Sequence, residues 1–270
     1  MPVTESRSVP SRLAGVLETL ELDQPRVVTV TDLNNIATAS ALAISGAELG
    51  YELHRLGWLL PLRTRGAWEF APAARAGRYP AGDRYIELRA TRATNPEFAG
   101  MLAMESAAVL HGLARYVPER EVLAIPRGNR VPKALRNWRV VSITLPGDPT
   151  TVMDGLPVWR IEALLAGMAL RPDAYGAWRS VAQWLPRAVA QTDPAQLAAL
   201  LDGASRAGWH RACYLLARGG RADIGIEFLT KAPSGRGPVY LGPRNQSGRF
   251  DVRFEVIDSV LAAGEDALQL

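Results

Sequence analysis

The residues that most often carry chemistry are sparse in this chain. Its 270 residues include three histidines, His54, His111 and His210, and one cysteine, Cys213. The histidines are isolated from one another, and a single cysteine excludes an internal disulfide and an all-cysteine metal cage. His210 and Cys213 form an H-x-x-C pair. Trp209, Cys213 and Leu216, however, stand at i, i+4 and i+7, the spacing of a buried helix face. Cys213 is therefore expected to be a buried, inert thiol. The phosphate-loop, dinucleotide, zinc-protease and nucleophile-elbow patterns are all missing. No pair of acids stands out for acid–base work. Missing motifs do not exclude catalysis, since a site can be assembled from distant residues, but binding is the favoured reading, with no catalytic residue, metal or cofactor expected.

Two groups of residues suit binding to a polyanion. Ser45, Tyr51, His54 and Arg55 fall on or beside one helix, and Arg63, Thr64 and Arg65 fall at a turn just after it. A helix fits the DNA major groove and presents side chains to base edges, while cations on an adjacent turn reach phosphate or the minor groove. Glu48 and Glu52 on the same helix oppose that use. The second group is Arg127, Arg130, Lys133, Arg136 and Arg139, every third residue, with no acid between Val122 and Gly147. Pro126 and Pro132 exclude one long helix there. The run reads equally as a basic surface or as an ordinary solvated edge.

The elements that position these residues follow from periodicity. Leu13, Val16, Leu17 and Leu20 make a helical stripe over Ser11 to Glu21, opened by Pro10. A short β-type run covers Pro25 to Val30. Thr31 and Asp32 are candidate caps for a second helix over about Asp32 to Ala43. Ser45 and Glu48 form a capping box for a third helix that ends near Gly57 and buries Leu49, Leu53 and Leu56. Gly50 is expected on the opposite face with Tyr51, His54 and Arg55. Trp58 to Leu62 and Ala67 to Phe70 read as a hairpin turning at Gly66, with Pro61 confined to a sheet edge.

Ala71 to Gly82 is rich in Ala, Pro and Gly and reads as a linker. Beyond it, helix is expected at Asp83–Arg92 and Ser106–Leu113, and strand at Gly100–Met104, Glu121–Ile125 and Arg139–Leu145. Pro132 to Trp138 reads as one or two helical turns. After Pro149 the chain reads as mainly helical, over Arg160–Leu170, Ala174–Leu185, Pro194–Leu201 and Arg206–Arg218. A terminal hairpin is expected from Val239–Leu241 and Phe250–Ile257, with Phe250, Val252, Phe254 and Val256 facing inward.

Net charge is +4 and the isoelectric point about 9.5, weak evidence for nucleic acid. Residues 1–80 hold eight basic and eight acidic groups, residues 81–150 ten and seven, and residues 151–270 thirteen and twelve. The excess thus lies outside the N-terminal tract. The polar start, Met1 to Ser11, lacks the apolar core of a signal peptide. The longest mostly apolar stretch, Ala163 to Leu170, falls far short of the roughly 20 residues of a membrane helix. A cytoplasmic protein is expected.

The chain resembles the AbiEi family of antitoxins from type IV toxin–antitoxin (abortive-infection) systems, in its actinobacterial form. The likeness rests on Thr29-Val30-Thr31-Asp32-Leu33, on Leu53-His54-Arg55-Leu56-Gly57-Trp58-Leu59 and on Gly66-Ala67-Trp68-Glu69-Phe70. It continues in Ser106-Ala107-Ala108-Val109-Leu110-His111-Gly112-Leu113, in Glu162-Ala163-Leu164-Leu165, in Arg171-Pro172 with Gly176-Ala177-Trp178, and in Arg211-Ala212-Cys213-Tyr214-Leu215-Leu216. Shorter members place an Asp soon after the E-x-A-L segment, where this chain has Ala166 and Gly167, so no C-terminal contact residue is carried over. The resemblance implies a winged helix that binds inverted repeats in its own promoter, represses its operon, and is joined to a non-catalytic domain counteracting a nucleotidyltransferase-like toxin. The expected fold is α+β, an N-terminal winged helix-turn-helix (1–72), a linker (73–84) and a larger mixed α/β C-terminal antitoxin domain (85–270). Two other readings are a winged-helix transcription factor with a small-molecule domain and a nucleic-acid-processing enzyme using Arg127–Arg139.

Overall fold

The computed structural model describes residues 9–74 and 80–261. These form two compact units. The first holds the described residues up to Phe98 together with Arg130–Asn137; the second holds Ala99–Asn129 and the described residues from Trp138 onward. The fold is mixed α/β with three sheets among the described residues.

In the first unit a 3-10 turn at Ser11–Leu13 leads into α1 (Ala14–Asp23). Gln24 ends it in a left-handed conformation (φ 43°), its N–H donating to the Leu20 carbonyl, and Pro25 then prevents continuation. β1 (Val27–Thr29) runs straight into α2 (Val30–Ala39). This helix starts earlier than Asp32 because Thr29, not Thr31 or Asp32, is its cap. Thr29 N–H donates to Asp32 Oδ2 (2.8 Å) and Asp32 N–H to Thr29 Oγ1 (3.2 Å). It also stops at Ala39, short of Ala43, where Ala41 turns left-handed (φ 52°).

α3 (Gly46–Arg55) begins where the Ser45–Glu48 capping box places it. Leu49 and Leu53 are fully buried with Leu13, Val16, Leu17, Leu20, Leu33 and Phe70, and Leu56 packs against the edge of that core. Each such leucine contributes about 1.5–3 kcal/mol on burial. Gly50 is buried rather than exposed: a Cβ there would lie 2.6 Å from the Trp68 ring. β2 (Leu59–Pro61) and β3 (Ala67–Phe70) are antiparallel, and β1 adds to β3, giving the order β1-β3-β2 with Pro61 on the edge strand as expected. α4 (Ile86–Thr94) packs on β1, on β3 and against a 3-10 turn at Lys133–Leu135.

The expected division at 73–84 therefore differs from the compact units: α4 belongs with the first unit, and residues 130–137 return to it. The expected linker also begins inside the fold, since Ala71 is buried and its N–H donates to the Trp58 carbonyl (2.9 Å); part of that tract, 75–79, lies outside the described residues.

The second unit is built on a five-stranded sheet. Its strands are β4 (Met101–Leu102), β5 (Val122–Ile125), β6 (Arg139–Ser142), β7 (Thr150–Met153) and β8 (Leu156–Trp159), in the order β6-β5-β4-β8-β7. β7 and β8, where helix was expected to take over, are a hairpin whose two turn residues, Asp154 (φ 49°) and Gly155 (φ 71°), are both left-handed. α5 (Met104–Leu110) follows β4, and α6 (Ile161–Leu170), buried nearly all round, follows β8. Gly167 of α6 lets the Trp159 ring approach to where a Cβ would stand 2.3 Å away.

α7 (Trp178–Gln191), α8 (Pro194–Leu200), α9 (Arg206–Arg218) and α10 (Ala222–Leu229) complete the helices of this unit. A second sheet joins β9 (Val239–Leu241), β10 (Arg249–Asp251) and β11 (Val256–Asp258). Here β9 pairs in parallel with β11, and β10 pairs antiparallel with β11. The expected inward run from Phe250 to Val256 is broken by a turn at 252–255, where Glu255 is left-handed. Phe254 and Val256 are buried, whereas Phe250 and Val252 are exposed.

Candidate nucleic-acid interface

α3 and the β2–β3 hairpin carry the first group of candidate residues. Tyr51 is 70% exposed on α3, and Arg55 is exposed one turn further on. Ser45 caps the helix: its hydroxyl donates to Glu48 Oε2 (2.9 Å) and accepts the Glu48 N–H (3.2 Å), so its first role is structural. His54 is half-buried and its Nδ1–H donates to the Leu59 carbonyl (2.9 Å). That bond fixes the tautomer and ties the last turn of α3 to the start of the hairpin.

Both acids on α3 have local partners. Glu48 closes the capping box, and the Ser45 backbone N–H, then the Ser45 hydroxyl, hold its carboxyl below the usual range. Glu52 is ion-paired with Arg12 of the preceding 3-10 turn. Two negative charges that weigh against a polyanion are thus answered, one by a helix terminus and one by a cation.

Arg63 and Arg65 are exposed at the hairpin turn, with Thr64 half-buried between them. Glu87 of α4 accepts the Arg63 N–H (2.8 Å), the Thr64 N–H (3.2 Å) and the Thr64 hydroxyl (3.1 Å). One carboxylate therefore holds the turn from which both arginines project. Gly50 completes the arrangement: without a Cβ it seats the Trp68 ring of β3 on α3. Sequence reasoning missed both anchors. Glu87 lies more than twenty residues from its partners, and Gly50 has no side chain to signal its role.

The second group is divided between the two units. Arg127 is an exposed residue of the second unit, whereas Arg130, Lys133 and Arg136 are exposed residues of the first. Arg139 is excluded from any basic face, because it is half-buried on β6 and ion-paired with Glu105 of α5. Glu105 also accepts the Gly176 N–H, so this pair pins α5 to β6 and to the segment before α7. A buried carboxylate needs such partners.

The remaining chemistry-bearing residues are structural. Cys213 is fully buried and burial pushes its thiol up to about 12. The His210 Nδ1–H donates to the Phe254 carbonyl (2.7 Å) and the His111 Nε2–H to the Trp159 carbonyl (2.7 Å). Among the described residues no three His, Cys, Asp or Glu side chains converge as metal ligands, and no helix is long and apolar enough to cross a membrane.

Comparison with known proteins adds to this geometry. A search of curated proteins finds no match. The fold is similar to the crystal structure of the RV2827C protein from Mycobacterium tuberculosis, with a TM-score of 0.84 and 28% identity, over 100% of this chain and 98% of that one. Residues 98–218, which span the second unit's five-stranded sheet and its helices α5 to α9, match the family model of the AbiEi antitoxin C-terminal domain. That match supports an AbiEi-family antitoxin.

Proposed function

We propose that the protein is the antitoxin and autorepressor of a type IV toxin–antitoxin pair. In this reading the first unit is a winged helix-turn-helix that binds inverted repeats in its own promoter. Tyr51 and Arg55 read the major groove, and Arg63 and Arg65 grip the backbone at the wing. His54 and Ser45 hold the reading helix in place, a positioning role rather than a base contact. The second unit counteracts a nucleotidyltransferase-like toxin without catalysis of its own. The observation that carries the DNA-binding part is the exposed Tyr51–Arg55 face of α3 beside a hairpin turn bearing Arg63 and Arg65 and held by Glu87. The family match supports the antitoxin part.

The test is a gel-shift titration of the full chain on its own upstream DNA and on a scrambled duplex, at two salt concentrations. Selective, salt-sensitive binding is expected. The pair Arg63→Ala and Arg65→Ala should weaken binding to all sequences alike and lower the salt slope by about 2, one for each phosphate that an arginine no longer neutralises. Equal binding to both duplexes refutes the operator role.

One observation favours a second reading, a transcription factor that senses a small molecule. The second unit has an open cleft of about 1160 Å³ lined by Tyr116, Trp178, Arg179, Pro243 and Gln246 among others. A ligand co-purifying there and changing operator affinity would support it.

A further inference from the structure

The second sheet of the C-terminal unit has a partly exposed face. The register of β9, β11 and β10 aligns Tyr240, Ile257 and Phe250 across the three strands. Paired residues project to the same side of a sheet, so these three side chains form one row. Their neighbours Val239, Leu241, Val256 and Asp258 project to the other side and are buried, with α9 packed against β9 and β11. In the outer row Tyr240 and Ile257 are half-buried, and Phe250, on the edge strand, is 54% exposed.

The charge around this row is positive. Residues 236–253 contain four arginines and a single acid, Asp251, which is ion-paired with one of them, Arg253. Asp251 is engaged locally, accepting the Arg253 and Phe254 N–H groups. The Arg244 guanidinium lies over the Tyr240 ring, 5.8 Å from its centroid. Arg211, whose Nε donates to the Tyr240 carbonyl (2.6 Å), stands close enough to Arg244 for the two to repel. One cation, Arg244, therefore stands over the Tyr240 end of the row, while Arg211 belongs to α9 beneath the sheet.

We propose that this face binds single-stranded RNA, with Phe250 stacking a base and Arg244, held over the Tyr240 ring, meeting the phosphate backbone. Strands lie about 4.8 Å apart, so two steps separate the rings by about 10 Å. Flat rings on a sheet with flanking arginines are the recurring solution for unpaired bases. A duplex offers no free base faces to such rings. RNA is the polynucleotide that presents unpaired loops and ends, and the positive local charge selects against an acid-poor or basic protein surface as occupant.

The test is fluorescence anisotropy of the full chain with a labelled uridine-rich RNA of about 12 nucleotides, within the usual site sizes of such surfaces. The RNA duplex and the deoxy strand of the same sequence are run alongside. Salt-sensitive binding of the single-stranded RNA above both is expected. Phe250→Ala should weaken it roughly five- to a hundred-and-fiftyfold, the range for one lost stacking partner. Phe250→Leu should weaken it similarly, whereas Phe250→Tyr should preserve it. Arg244→Ala should reduce the salt slope. Promoter binding should be unchanged in all four variants. No binding of the single strand, preference for the duplex or the deoxy strand, or full binding by Phe250→Ala overturns the proposal. Full binding by Phe250→Leu also overturns it, because generic apolar docking would survive that change and base stacking would not.

Discussion

Gly50→Ala sets two effects of opposite sign against each other. Gly50 lies inside α3, and alanine in a helix interior is favoured over glycine by about 1 kcal/mol. An added Cβ, however, would stand 2.6 Å and 2.9 Å from Trp68 Cη2 and Cζ2, and 3.0 Å from Leu33 Cδ1. Contacts that short do not occur between carbon atoms, and a rigid indole cannot fold away from them. Overpacking of this kind costs about 1–3 kcal/mol. The sum is a net loss of about 1 kcal/mol. Because Trp68 pairs with Pro61 across the hairpin, relief of the clash also shifts the turn that bears Arg63 and Arg65, and promoter affinity should fall with it.

The decisive comparison uses a second background. In Trp68→Leu the ring is gone, and Gly50→Ala should there become stabilising by up to about 1 kcal/mol. The assay is urea unfolding of the full chain by far-ultraviolet circular dichroism, with amide exchange in α3 to assign the transition to the first unit. If Gly50→Ala stabilises the wild-type chain, or costs the same in both backgrounds, the packing argument is refuted.

Four further outcomes are expected. Glu87→Ala removes the acceptor shared by the Arg63 and Thr64 amides, and should loosen the hairpin turn and weaken promoter binding about fivefold, near 1 kcal/mol, while leaving helix content unchanged; gel shift and circular dichroism check this. Thr29→Ala and Ser45→Ala should each lower stability by about 1 kcal/mol through loss of a cap, read from urea midpoints. Glu48 is held below its ordinary value of 4.5, so its contribution is present above that pH and is lost as the pH falls through the lower folded value; Ser45→Ala should diminish this loss in an acid titration. Cys213, buried and with its thiol pushed up to about 12, should resist a thiol reagent at neutral pH in the native chain and react fully in urea.

Local signals were legible wherever one short segment carries the whole cause. The Ser45–Glu48 box fixes the start of α3, the buried stripe of Trp209, Cys213 and Leu216 identifies α9, and Pro61 sits on an edge strand. The cap of α2 was misplaced because Thr29, Thr31 and Asp32 all suit a cap by type, and only the reciprocal bond between Thr29 and Asp32 decides. The β7–β8 hairpin was missed although Asp154-Gly155 is a strong turn signal; the apolar helix after it dominated the pattern. The alternation from Phe250 to Val256 suggested one strand, and a left-handed Glu255 within it cannot be read from period two.

The candidate site was half legible. The exposed Tyr51 and the arginines of the turn followed from periodicity, but His54 and Ser45 are committed to neighbouring backbone. What holds the site, Glu87 under the turn and the bare Gly50 under Trp68, depends on residues distant in sequence. Arg139 drops out of the basic run for the same reason, since it has an acidic partner on α5 that spacing alone does not reveal.

The return of residues 130–137 to the first unit bears on the order in which the protein is made. Ala134 and Leu135 are buried, and their turn packs against α4, the helix that supplies Glu87 to the hairpin. A ribosome finishes the first 98 residues well before it reaches these two. The first unit is therefore complete only after β4 and β5, the opening strands of the second, have been synthesised. A chain that stops before Ala134 lacks two of the buried residues that pack the first unit. Under the proposed function, a polypeptide able to occupy its promoter has already begun the domain that counteracts the toxin.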